Sequence, residues 1–296
     1  MTRALNPQQV ARSFGAASAR YDDAALLQAQ VRDELLSRLD ALHPQPATVL
    51  DLGCGTGAAA AALKKRYPRA RVIAADIAPG MLAVARQRSR FWRRFECIEA
   101  DAHRLPLPVA SVDLIFTNLM LQWADPLDAA LAEIARVLRP GGLLLASSFG
   151  PETLQQLRWA WREADDAVHV NHFVDMHDFG SALQRAGFTE PVLDVDRHTR
   201  FEPDVDRLMA GLKAIGAHNV NAQRPRGLTG RHRMQRMRAA YERLRTPQGL
   251  PVTWQVVYAV AWAPAHAQRG EAMPVTPETR VSLAAMQAGL SRSARR

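Results

Sequence analysis

The chemistry-bearing residues begin with an apolar run, Val49-Leu50-Asp51-Leu52, that enters a turn with glycine at positions 53, 55 and 57. Glycines at such spacing permit a tight turn and let the backbone approach a ligand that a Cβ would obstruct. The helix expected after the turn offers unpaired N–H groups at its start. Alone the turn leaves the ligand open, because Gly53-x-Gly55-x-x-Ala58 also fits the dinucleotide fingerprint and a glycine turn can be merely structural. Three acids narrow the choice. Asp51, two residues before Gly53, is placed to accept from an ammonium group. Asp76, nineteen residues after Gly57, is placed to take both hydroxyls of a ribose, and Asp101 to accept from an adenine amino group. Each alone reads equally well as a turn or cap. Together they stand at the carboxyl ends of three strands on one rim of a sheet.

The elements that must hold these acids follow from hydrophobic periodicity. Apolar runs predict strands over Ala47–Leu52, Arg71–Asp76, Phe95–Glu99, Val112–Asn118 and Leu143–Phe149, with helices over 58–66, 80–88 and 127–138 between them. That alternation predicts an α/β fold, a doubly wound, seven-stranded, mostly parallel sheet. Leu26, Leu27, Val31, Leu35, Leu39 and Leu42 predict one helix over 22–42 before the sheet. After Phe149 come helices over 152–166 and 176–186, a strand over 192–201, a basic helical section over 204–245 and a β-branched, aromatic strand over 252–262. The expected organisation is a helical lid at 1–45, a ligand-binding core at 46–150, the rest of the sheet with helical insertions at 151–263, and a disordered basic tail at 264–296.

Composition excludes several classes. The chain has 296 residues, 48% apolar and 23% charged, which is ordinary for a folded domain and unlike a disordered chain. No run approaches a membrane span, the N-terminus has no apolar signal core, and Cys54 and Cys97 make neither a disulfide framework nor a metal cluster, so a cytoplasmic protein without metal is expected. Net charge is +9, from 38 basic and 29 acidic residues. Eight arginines lie between Arg224 and Arg245 against one acid, Glu242, a local balance of +7. Such a stretch suits phosphates, a membrane surface or an acidic protein, and equally a solvated helix face.

Residues 47–149 resemble the class I S-adenosylmethionine-dependent methyltransferases. The resemblance rests on the glycine turn, on Asp76 followed by Met81-Leu82, on Asn118 with Leu121-Gln122-Trp123, and on Leu138-Arg139-Pro140-Gly141-Gly142. It implies that Asp51, Gly53, Gly55, Gly57 and Asn118 surround the methionine half of the cofactor and that Asp76 binds ribose. Asp101 and Ala102 would then meet the adenine and Met81 would pack on it, although core packing serves Met81 as well.

Four further segments resemble one branch, the malonyl-acyl carrier protein O-methyltransferases of biotin synthesis. They are Arg12-Ser13-Phe14-Gly15-Ala16-Ala17 with Tyr21, His169-Val170-Asn171-His172-Phe173, Leu212-Lys213-Ala214-Ile215-Gly216-Ala217, and Arg226-Gly227-Leu228-Thr229-Gly230-Arg231. The resemblance implies Tyr21, His169, Asn171 and His172 as acceptor-site residues. It also makes an acidic carrier protein, or coenzyme A, the bearer of the substrate, with Lys213, Arg224, Arg226, Arg231 and Arg233 docking it. Family members often carry arginine where this chain has His172, which leaves the carboxylate's cation open. A malonyl carboxylate, with a pKa near ~4 by analogy with side-chain carboxyls, is already ionised at neutral pH and needs no base. Tyr21 is expected to position one oxygen while a cation grips the other. Three rivals stand beside this reading: a methyltransferase-like arginine hydroxylase or respiratory-complex assembly factor, a nucleic-acid methyltransferase, and a non-catalytic binding module. Iron ligands and aromatics interleaved with the arginines, which the first two need, are not evident in the sequence, so no nucleic acid is expected as partner.

Overall fold

The structure is a computed structural model and describes residues 5–89, 93–217 and 229–264. Four helices lead in: α1 (Pro7–Ala17), α2 (Tyr21–Ala24), α3 (Leu26–Ser37) and α4 (Leu39–Leu42). Then follow β1 (Thr48–Leu52), α5 (Ala58–Arg66), β2 (Arg71–Asp76), α6 (Pro79–Arg88), β3 (Glu96–Glu99), β4 (Val112–Asn118), α7 (Leu127–Val137) and β5 (Leu138–Phe149). The remainder is α8 (Gln155–Arg162), α9 (Met176–Arg185), β6 (Thr189–Glu202), α10 (Val205–Ala214), α11 (Arg231–Glu242) and β7 (Leu250–Trp262). The seven strands form one sheet in the order β3-β2-β1-β4-β5-β7-β6, with β7 antiparallel to both its neighbours.

The central strands are buried on both faces, as parallel strands covered by helices must be. One face packs Leu27, Val31 and Leu35 of α3 and Leu63 of α5 against β1, β2 and β4. The other packs Leu131 and Ile134 of α7 and Phe179 and Leu183 of α9. Each fully buried leucine there stabilises the fold by about 1.5–3 kcal/mol. A third apolar cluster joins α8, α10 and α11 to the start of β7 beyond the sheet's rim, built around Trp161, Met237 and Tyr241.

The single helix expected over 22–42 is three helices. Ala25 leaves helical geometry (φ −87°, ψ 42°), so α2 and α3 meet at a corner and Tyr21 is turned toward the rim of the sheet. The turn expected before the fifth strand is an arch within β5. Leu138 pairs with Val112 and Leu143 with Leu114, so Arg139–Gly142 bow outward opposite Asp113, which Arg139 pairs. α1 is capped by Asn6, whose side chain accepts from the N–H groups of Gln8 and Gln9, with Pro7 in its first turn. The tail expected to be disordered lies outside the described residues, apart from Pro264.

Candidate active site

The turn after β1 is pinned to β2: the N–H groups of Gly53 and Cys54 both donate to the Ala75 carbonyl, at 2.8 and 2.9 Å. Its three glycines have positive φ, each for a different use. A Cβ on Gly53 would lie 2.3 Å from Met120 Cγ. A Cβ on Gly55 would meet no protein atom within 4 Å, so a side chain there would enter the cavity itself. Gly57 lines none of the site's three cavities. An added Cβ would meet Ala85 of α6 at 2.9 Å, so this glycine, expected at the ligand, serves the packing of α5 on α6.

Asp76 closes the turn from β2. Its Oδ2 accepts from the Gly55 N–H and its Oδ1 from the Ala78 N–H, both at 2.8 Å. These two bonds aim the carboxylate and leave a lone pair on each oxygen, the arrangement a vicinal diol can use. Burial pushes its pKa up against the pull of the N–H groups. Beyond Asp76 a cavity of about 100 Å³ is lined by Met81, Asp101 and Ala102, with Val10 and Phe14 of α1 and Trp123 as its cover. Sequence reasoning missed His103 here. Its Nδ1 lies 2.7 Å from Asp101 Oδ1 and its Nε2 3.2 Å from the Pro126 carbonyl, so the ring fixes the carboxylate; the Asp-x-His spacing was the available signal.

On the other side of Gly53 and Gly55 lies a cavity of about 240 Å³ that contains Asp51. Asp51 is buried, and its Oδ2 has no hydrogen-bond partner among the described residues. Burial raises its pKa to about 7, although the Ala60 N–H and Arg32 pull downward. A buried carboxylate that lines a cavity and keeps one oxygen unpartnered fits an ammonium group. Asp22, next to Tyr21, accepts from Thr56 Oγ1 at 2.7 Å and pairs with Arg88, so α2 is fastened across this turn. Asn118 lines both cavities, yet its side chain is committed within the protein: Nδ2 donates to the Gln28 carbonyl at 3.0 Å and Oδ1 accepts from Ser147 Oγ at 2.9 Å.

A third cavity, of about 470 Å³, opens beneath α8, α10 and the segment before α9. Tyr21 lines all three cavities and so marks their meeting point. Burial, with Asp76 and Asp22 nearby, pushes the Tyr21 hydroxyl well above its ordinary pKa, so at neutral pH it is a donor and not a base. His169 stacks on Trp161 with ring centroids 3.6 Å apart, and its Nε2 lies 2.8 Å from Asp165 Oδ1. Asn171 lines the wall, with its Oδ1 buried and unpartnered among the described residues. His172, expected at the acceptor site, is not among the residues that line this cavity. Asn171 and Phe173 line the cavity while His172 between them is exposed, the alternation an extended segment would give.

Lys213, expected on a docking surface, lines this third cavity as an exposed side chain in the last turn of α10. Arg231 is exposed at the start of α11. Folding lowers the sequence balance of +7 to +4, because Asp165, Asp206 and Glu163 join Glu242 against the eight arginines. Arg233 lies 3.8 Å from Asp165, Arg238 pairs with Asp206, Arg243 with Glu163 and Arg245 with Glu242, so four arginines meet four carboxylates. Arg224 and Arg226 lie outside the described residues. Among the described residues no helix is long and apolar enough to cross a membrane, and no cluster of three His, Cys, Asp or Glu side chains is placed to hold a metal.

Residues 50–146 match the methyltransferase domain family. The chain is 48% identical over 275 residues to the malonyl-[acyl-carrier protein] O-methyltransferase of Laribacter hongkongensis, covering 90% of this chain and 93% of that one. It is 46% identical over 262 residues to the enzyme of the same name from Halorhodospira halophila, covering 88% and 89%. The biotin biosynthesis bifunctional protein of Cellvibrio japonicus is 42% identical over 264 residues, which span 89% of this chain and 52% of that one. Among solved structures, the methyltransferase bound to the Haloferax volcanii Trm112 activator superimposes with a TM-score of 0.54 at 20% identity, covering 85% of this chain and 97% of that one. A Thermotoga maritima S-adenosylmethionine-dependent methyltransferase does so with 0.51 at 18%, covering 86% and 99%. At these identities the structural likeness speaks for the fold alone.

Proposed function

The chain belongs to the malonyl-[acyl-carrier protein] O-methyltransferases, and we propose that its three joined cavities divide the work of that reaction at Tyr21. It is an S-adenosylmethionine-dependent carboxyl methyltransferase of biotin synthesis, and it converts the free carboxylate of malonyl-acyl carrier protein to a methyl ester. The relatives are named as malonyl-[acyl-carrier protein] O-methyltransferases, which leaves the arginine-hydroxylase reading unsupported.

Asp76, Met81, Asp101 and Ala102 would hold the nucleoside of S-adenosylmethionine, with Gly53 and Gly55 beneath it and Asp51 facing its ammonium group. The cofactor supplies a methyl on a positively charged sulfur, so an acceptor oxygen forms the new C–O bond while the S–C electron pair returns to sulfur and no proton moves. The protein's task is therefore to align and to dry. Tyr21 is kept protonated and donates to the acceptor carboxylate, while Trp123, Phe149 and Trp254 surround the reacting end with apolar surface. Opposite charges cancel as the ester forms, and such a step is favoured where water is excluded. No general base is needed, in keeping with a meeting point bounded by a protonated phenol. No metal is needed either.

The observation that carries this reading is the convergence of all three cavities on Tyr21. Lys213, at the wall of the third cavity, and Arg231, exposed at the start of α11, are cations placed to meet an acidic carrier or the phosphate of its arm. A cytoplasmic location belongs to the same reading, supported by Cys54 and Cys97 as free thiols, and nucleic acid has no part in it. The test is the bond formed. The methyl group on the product should be released by mild alkali, as an ester is, whereas an alkali-stable methyl would contradict carboxylate methylation. Lys213→Glu with Arg231→Glu should raise KM for the carrier-bound substrate about tenfold at low salt and less at high salt, and an unchanged KM removes the docking assignment.

A further inference from the structure

Gln28, in the first turns of α3, is singled out by no motif, yet among the described residues it is the one besides Tyr21 that lines both the third cavity, where the acceptor would lie, and the cavity around Asp51. The passage between those two spaces, where an acceptor oxygen must meet the transferred methyl, is bounded by these two side chains. Gln28 is held there firmly. Its carbonyl accepts from Asn118 Nδ2 at 3.0 Å, Asn118 Oδ1 accepts from Ser147 Oγ at 2.9 Å, and Ser147 Oγ accepts from the Leu119 N–H at 3.0 Å. This chain ties α3 to the ends of β4 and β5. The half-buried side-chain amide, by contrast, has no hydrogen-bond partner among the described residues.

The charge around this point is equally informative. Among the described residues of the acceptor cavity, only His169 and Lys213 are of basic type. His169 faces Asp165, and Lys213 is exposed, whereas the passage itself is flanked by Tyr21 and Gln28. An ion pair to an ammonium or guanidinium would withdraw charge from the oxygen that must attack, because charge-assisted hydrogen bonds are the stronger ones. Two neutral donors fix a carboxylate in place at less cost to its nucleophilicity.

We propose that the Gln28 side-chain amide and the Tyr21 hydroxyl together seat the acceptor carboxylate, Gln28 donating to one oxygen and turning the other toward the methyl donor. This deepens the carboxylate-methylation reading and rests on it. Gln28 thereby selects acceptors that end in a carboxylate over acyl chains that lack one.

Gln28→Ala and the near-isosteric Gln28→Glu separate the possibilities, with steady-state kinetics on malonyl-carrier protein and calorimetry with S-adenosylmethionine alone. Loss of one hydrogen bond to a charged group should lower kcat/KM about 10- to 100-fold in Gln28→Ala, and Gln28→Glu, which adds a repelling anion, should lose more. The dissociation constant for S-adenosylmethionine should stay within about threefold in both. The proposal is overturned if kcat/KM stays within threefold of wild type, or if the loss follows a tenfold or greater weakening of cofactor binding, which would place Gln28 in the cofactor site. A variant that does not fold is replaced by Gln28→Met, for which the same two outcomes apply. Wild-type enzyme that fails to methylate the malonyl carrier would instead overturn the underlying function, so the two failures are distinct.

Discussion

Gly15 of α1 and Gly80 of α6 approach so closely that a Cβ on Gly80 would lie 2.8 Å from the Gly15 carbonyl oxygen. α1 can settle on α6 in this way only because Gly80 has no side chain there, and that contact brings Val10 and Phe14 over the cavity beside Asp76. Gly216, just after α10, similarly approaches the main chain of Ser13 and Phe14, so α1 is gripped on two sides.

Gly80→Ala should therefore act in two directions. Alanine favours α6 locally by up to about 1 kcal/mol, yet its methyl strikes backbone that cannot step aside. The expected result is a dissociation constant for S-adenosylmethionine raised roughly tenfold by calorimetry, with far-ultraviolet dichroism unchanged. Unaltered affinity would show that α1 is no part of the cofactor site.

Asp51→Asn should stabilise the unliganded protein and spoil its binding. The carboxyl's pKa is raised by burial to about 7, above that of an unfolded aspartate near ~4. Its protonated form is thus favoured in the native state, and the stability it contributes in acid is lost as pH rises from about 4 through about 7. At pH 8 the asparagine variant should melt several degrees higher than wild type, at roughly 2–4 °C per kcal/mol for a chain of this size. The thermal shift caused by S-adenosylmethionine should shrink at the same time. In wild type, cofactor affinity should fall as pH drops below 7, because the ammonium partner requires the ionised acid.

Tyr21→Phe removes a donor and leaves the ring. It should lower kcat about 10- to 100-fold with cofactor affinity changed little. Because the phenol stays protonated and the acceptor stays ionised, kcat in wild type should be flat from pH 7 to 9 once both substrates are saturating. A rise through that range would assign Tyr21 a base's role instead.

His172→Ala should leave kcat/KM within twofold, whereas Asn171→Ala, one residue earlier, should raise KM for the carrier-bound substrate several-fold. The contrast follows from their placement, Asn171 in the cavity wall and His172 exposed. Equal effects would mean that this segment is arranged differently in solution.

Much of this was legible before any coordinates. Strands β1, β2 and β4 announce themselves as apolar runs because parallel strands are buried on both faces, and the acids at their ends stand out against that background. Asp51 and Asp76 were therefore readable as chemistry. The corner at Ala25 was not, because the apolar spacing continues through it and only the backbone shows the break. Nor was the spending of Arg233, Arg238 and Arg243 on Asp165, Asp206 and Glu163, acids distant in sequence that only folding delivers. Alternation about His172 required knowing which way the chain enters the cavity. Gln28 was hidden for a related reason: a glutamine on a helix has no signature until the space it faces is known.

The central claim is that a free carboxylate on a carrier-bound acyl group is the methyl acceptor. Intact-mass spectrometry of malonyl-acyl carrier protein incubated with enzyme and S-adenosylmethionine, with acetyl-carrier protein alongside, tests it most directly. A gain of one methyl group on the malonyl species alone is the predicted result. No gain on either species by an enzyme that binds the cofactor, or an equal gain on both, would contradict it.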